Sequence, residues 1–97
     1  MVIPKVKAVN MLDIDAEDLC DLMRGVRVLA PVVKTAMGAD GLLIQQFNEA
    51  AAGQMVFHIH FHIVPRRAGD GIGLGFRQTE PVRDDLGKTA AAIRAAL

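Results

Sequence analysis

"QMVFHIHFHIVP", residues 54–65, decides the fold. Apolar residues and histidines alternate through it, and alternate residues of a strand point to opposite faces. The spacing predicts a strand over 54–64, closed by Pro65. One face carries His58, His60 and His62, and the other carries Phe57, Ile59, Phe61 and Ile63. These are the only three histidines of the 97-residue chain. An ordinary solvated face would also draw on Thr, Lys, Glu and Ser, so the row has a chemical purpose.

Working outward, "GLLIQQF" (41–47) reads as a second strand and "NEAAAG" (48–53) as the turn between them. An antiparallel hairpin is the economical pairing. Further upstream, Leu19, Leu22, Met23, Val26, Leu29, Val33 and Met37 recur at steps of three and four, the mark of an amphipathic helix. Asp15 is its expected N-cap, with Glu17 and Asp18 in the first turn where the helix dipole favours negative charge. Gly38 is its expected stop. Pro31 falls inside the pattern and predicts a kink or break just before it.

Residues 5–14 read as a connection. Val2 and Ile3 look like the end of a strand stopped by Pro4, with its start and hairpin partner missing. Downstream, "RRAGDGIGLGFRQTE" (66–80) reads as loop, and "GDGIGLG" lacks the strand–helix frame of a phosphate loop. Pro81 suits the first turn of a closing helix. Val82, Leu86, Ala90, Ile93 and Leu97 would share one face of it, and Gly87 weakens it. The expected architecture is α+β, in a single domain over 1–97: an antiparallel sheet, a long helix packed on it and a C-terminal helix.

Lys plus Arg equals Asp plus Glu, so the formal net charge is zero. A nucleic-acid binder usually shows a basic excess, so no nucleic-acid partner is expected, although a small nucleotide needs only a local site. The apolar fraction of 52% is too high for a disordered chain. Cys20, the one cysteine, cannot form an internal disulfide and suits a reducing compartment. It is expected as a small buried helix residue, and Met23 and Met37 as core. No apolar run approaches a membrane span and no secretory leader is visible, so a cytoplasmic protein without a membrane partner is expected.

The histidine row admits two chemistries. An H-x-H pair can supply two ligands to zinc, but His58 to His62 spans about 13 Å of extended backbone, too far for all three to share one ion. No C-x-x-C or H-E-x-x-H accompanies them, so no metal is expected. Neutral imidazole is also a nucleophile that titrates near neutrality. A row of three offers a central nucleophile with a donor on each side.

"HIHFHIV" (58–64) resembles the signature of the histidine-triad (HIT) family: histidines on alternate residues with apolar residues between and after them. "NEAAAGQ" and "PRR" resemble its flanks. "MVIPK" resembles the strand end before the family's long helix, and "GDGIGLGF" with the terminal helix resembles the tail of bacterial members. The likeness runs through nearly the whole chain. It is greatest to the nucleotide-binding, nucleoside phosphoramidate hydrolase branch, with dinucleoside polyphosphate hydrolases as a sister branch.

The resemblance implies that His60 attacks the α-phosphorus of a purine nucleotide such as AMP in a derivative, forming a nucleotidyl-histidine that water hydrolyses. It implies that His62 contacts phosphate oxygens and that His58 fixes tautomers within the row. It places Gln54 and Met55 near the phosphate and Asn48 near the ribose or the catalytic histidine. Met55 stands where many relatives carry Ser or Thr, leaving its backbone N–H for the phosphate. Arg66 and Arg67 could reach a phosphate but read more simply as solvated. No cofactor is implied, and a homodimer is. Compared with the family, the chain lacks the N-terminal part that supplies much of the base pocket. A nucleotide-binding module with little activity is therefore the alternative, and a metal-binding histidine row the third.

Overall fold

A computed structural model describes residues 1–70 and 83–97, and shows an α+β fold. Helix α1 runs from Ala16 to Ala36. Strand β1 (Gly41–Gln45) and strand β2 (His62–Arg66) form a two-stranded antiparallel sheet, and α2 (Arg83–Ala96) closes the chain. Both strands and α2 pack against α1.

Local chemistry sets the limits of α1. The Asp15 side chain accepts from the Glu17 backbone N–H at 2.9 Å, a cap of the kind that contributes ~1 kcal/mol. At the far end the Met37 N–H donates to the Val33 carbonyl, and Gly38 turns the chain out at φ +57°. The expected break at Pro31 is not seen. The helix continues through it, and Pro31 lies on the exposed side, where water can serve the carbonyl its missing N–H leaves unpaired.

Leu22 and Val26 of α1 are buried and meet Ile59, Phe61 and Ala8, with Val2, Ile14, Leu19 and Ile63 packed around them. The helix face is narrower than its periodicity indicates. Met23 and Cys20 are both exposed, so neither is a core residue. In α2, Thr89, Ala90 and Ile93 are half-buried while Leu86 and Leu97 are exposed. Val82 and Pro81 lie outside the described residues, as does the loop expected over 66–80 from residue 71 onward.

The sheet differs from expectation in one instructive respect. Gln45 pairs with His62 and Gly41 with Arg66, so the antiparallel pairing is present. The connection, however, runs from 46 to 61 and includes a short 3-10 turn at Ala50–Ala52. The regular ladder occupies 62–66 rather than 54–64, and β1 ends at Gln45 rather than Phe47. The reason is the neighbour available to residues 58–61. Val2 and Phe61 exchange both backbone hydrogen bonds, at 2.8 and 3.0 Å, and the Ile59 N–H donates to the Ala8 carbonyl at 2.9 Å. Pro4 and the turn at 9–13 break that edge up, giving isolated contacts instead of a ladder. Phe57 lies before these contacts begin and is 58% exposed, so the core row is Ile59, Phe61 and Ile63 without it.

Candidate functional site

Past the bend at 56–58 the chain alternates, with the three histidines half-buried on one side. Ile59, at 1% exposure, and Phe61 anchor the other side. The row sits at a fixed height because its apolar alternates are locked into the core.

Each ring has a defined neighbour. The His58 Nε2 lies 3.1 Å from the Pro4 carbonyl oxygen. The His60 Nδ1 lies 2.7 Å from the carbonyl oxygen of His58. A carbonyl only accepts, so both ring nitrogens must carry the proton. In neutral His60 the lone pair is therefore on Nε2. The His62 ring meets His60 edge-on, with centroids 4.9 Å apart, and meets Phe47 at 6.1 Å. Burial, then the nearby His60, then the amino terminus push the His62 imidazole below its ordinary value, favouring its neutral form.

Gln54 lies below this surface, at 3% exposure. Its Nε2 donates to the carbonyls of Val9 and Val56, at 2.7 and 3.1 Å. Its Oε1 accepts from the Glu49 N–H at 2.7 Å and from the Asn10 amide at 3.1 Å. The side chain thus has four partners, its full capacity. Asn48 accepts through Oδ1 from the Met11 N–H and from Gln46 Nε2, both at 2.8 Å, and donates through Nδ2 to Gln46 Oε1. Met55 is 79% exposed.

Arg66 forms an ion pair with Asp70, and Arg67 donates to the Met37 carbonyl beyond α1. Both arginines thus brace the strand end. Among the described residues no group of three His, Cys, Asp or Glu side chains could hold a metal ion, and no helix is long and apolar enough to cross a membrane.

The structure adds residues that the sequence reading passed over as connection. Asn10 is 5% exposed, and its Oδ1 accepts from the Leu12 N–H. The Asp13 carboxylate accepts from the N–H groups of Val9 and Asn10. Those two bonds, Asn10's first, hold the Asp13 carboxyl below the usual carboxylate range. The available signal was the Asn–Asp spacing in "NMLD", an Asx-type turn. Gln46 and Phe47, beside Asn48 and His62, were read only as strand.

The family model described as "HIT domain" matches residues 1–69. An uncharacterized HIT-like protein of Methanocaldococcus jannaschii is 37% identical over 94 residues, 97% of this chain and 70% of that one. The adenosine 5'-monophosphoramidase of Saccharomyces cerevisiae is 35% identical over 98 residues, covering 100% of this chain and 60% of the enzyme. Among solved structures, a Hit-like protein involved in cell-cycle regulation from Bartonella henselae superposes with a TM-score of 0.85 at 42% identity. The match covers 98% of this chain and 67% of that one.

Proposed function

The chain belongs to the HIT domain family, and on that premise we propose that it is a nucleotidyl hydrolase or transferase acting at the α-phosphate of purine nucleotides through His60. The observation that carries this reading is the bond from His60 Nδ1–H to the His58 carbonyl, which leaves the Nε2 lone pair for attack. Support comes from the likeness to an adenosine 5'-monophosphoramidase over the full chain.

In this reading the His60 Nε2 forms a bond to the α-phosphorus while the bond from phosphorus to the leaving amine or phosphate breaks. A leaving amine takes a proton from water. Attack makes the ring an imidazolium, and its charge is shared with Nδ1–H, already pointed at the His58 carbonyl. Charge developing where a fixed dipole waits is the largest common catalytic effect. Water then attacks phosphorus as the phosphorus–Nε2 bond breaks; its proton passes to the hydroxide left when the amine was protonated, or to solvent when phosphate leaves, and AMP departs with the neutral ring restored. Splitting the reaction in two is what a covalent nucleophile achieves. His62 contacts the phosphate oxygens, with the Met55 backbone N–H beside them and Asn48 toward the ribose. His58, bonded to Pro4, fixes the tautomer of the row. Gln54 serves from beneath as a support.

The test is intact mass after rapid quench with adenosine 5'-phosphoramidate. An added AMP moiety on the wild type, absent from His60→Ala, is expected. Binding of AMP by calorimetry without adduct or turnover would instead identify a nucleotide-binding module. The same assay with dinucleoside polyphosphates separates the two branches of leaving group.

A further inference from the structure

We infer that Asn10 is a positioning residue for the histidine row, acting through the buried amide of Gln54; this rests on the function proposed above. Among the described residues no regular strand lies beside 55–60. The row hangs instead from the irregular segment 2–10: His58 reaches the Pro4 carbonyl, Ile59 the Ala8 carbonyl, Phe61 the Val2 carbonyl, and Gln54 the Val9 carbonyl. Asn10 ends that segment.

Its amide orientation is fixed from one side. The Leu12 N–H donates to Oδ1, so Nδ2 must face Gln54. That adds to the hold on Gln54, whose Oε1 takes the Asn10 donor beside the Glu49 N–H and whose Nε2 is aimed at the carbonyls of Val9 and Val56. Reversing the Gln54 amide would set two donors toward Asn10 Nδ2 and the Glu49 N–H, and an acceptor toward two carbonyls. Asn10 therefore supplies one of the four bonds that hold the amide beneath the row, beside the Glu49 N–H and the carbonyls of Val9 and Val56. Val56, two residues before His58, is held by that amide. Both side chains are almost fully buried, so water does not offer an alternative partner. A misplacement of about 1 Å at a reacting group costs as much as 100-fold in rate.

Two variants test this. Asn10→Ala removes the donor. We expect kcat to fall roughly 10- to 100-fold with KM within about threefold, because the Asn10 side chain is buried, at 5% exposure. Asn10→Asp keeps the acceptor for Leu12 and places a carboxyl in the same space. Protonated, it donates to Gln54 Oε1; ionised, it repels it. Burial and the adjacent Asp13 carboxylate both raise the pKa of the introduced carboxyl. The variant-to-wild-type ratio of kcat must therefore fall as pH rises through that pKa. Nitrogen-15 signals of the His60 ring give a readout independent of substrate: one Nδ1–H form in the wild type, and a tautomer mixture in the variants where kcat is lost.

A folded Asn10→Ala with kcat within twofold of wild type and unchanged His60 signals overturns the inference. So does a pH-independent ratio for Asn10→Asp, which settles the matter if the alanine variant fails to fold. Should the wild type itself show no turnover, the proposed function fails, and the His60 ring signals alone decide the role of Asn10.

Discussion

The His62 ring stands edge-on to His60 with centroids 4.9 Å apart, so a proton on one ring opposes a proton on the other. Burial lowers the His62 pKa first, and His60 lowers it further. A group whose folded pKa is depressed below its unfolded value of about 6.5 binds fewer protons when folded. For an imidazole this means full stability above that value and progressive loss as pH falls from it through the folded pKa. Thermal melts from about pH 5 to 8 are expected to show Tm rising with pH, and His62→Gln is expected to flatten part of that rise. An unchanged slope in the variant would place the acid sensitivity elsewhere.

His60→Ala is expected to lower kcat by roughly 10³-fold or more, as removal of a covalent nucleophile does. Stability should change little, because the ring is half-buried and hydrogen-bonds to a local carbonyl. His58→Ala should be milder in rate but costlier in stability, since it breaks the side-chain link to Pro4. Paired kinetics and melts of the two variants check both halves. Equal rate losses would mean that His60 is not distinguished from its neighbour.

Alternation alone does not say which apolar residues of the row are core. Ile59 is 1% exposed and Phe57 58%. Ile59→Ala is expected to cost about 2–5 kcal/mol and Ile59→Val about 0.5–1.5 kcal/mol, through lost transfer energy and the cavity left behind. Phe57→Ser should lie within roughly 1 kcal/mol of wild type, as surface substitutions do. Urea melts of the three variants check the order, and a Phe57 cost equal to that of Ile59 would contradict the core described above.

That contrast shows where the sequence stops being informative. The helix α1 was legible at both ends because its caps are local: Asp15 bonds two residues on, and Gly38 acts where it stands. The facing of the histidines was legible because a strand has a period of two. The pairing with β1 was legible as a hairpin, but the neighbour of residues 58–61 was not, because Val2 meets Phe61 and Ala8 meets Ile59 only through the tertiary fold. Gln54 was noticed through the family resemblance of "NEAAAGQ". Its bond to Asn10 spans 44 positions, and no local pattern carries such a pairing. Met23 falls within an apolar periodicity that includes more positions than the core can cover, and Cys20 lies beside that face rather than on it.

Glu49 has φ +70° and ψ 157°, a backbone region that is essentially restricted to glycine and costs a side-chain-bearing residue about 1–3 kcal/mol. What holds it there is visible. Its N–H donates to Gln54 Oε1, and its carbonyl accepts from the N–H groups of Ala52 and Gln54. The turn at Ala50–Ala52 and the buried amide thus over-determine one strained residue. Glycine in its place would relieve the strain at an entropic cost of about 0.5–1 kcal/mol in the unfolded chain. Glu49→Gly is therefore expected to stabilise the protein by about 1 kcal/mol, whereas Glu49→Ala keeps the Cβ and should bring no gain. Urea unfolding of both variants checks this. Because the exposed carboxylate takes no part in the proposed chemistry, kcat should be preserved in each. A glycine variant less stable than the alanine one would show that the turn stores no strain.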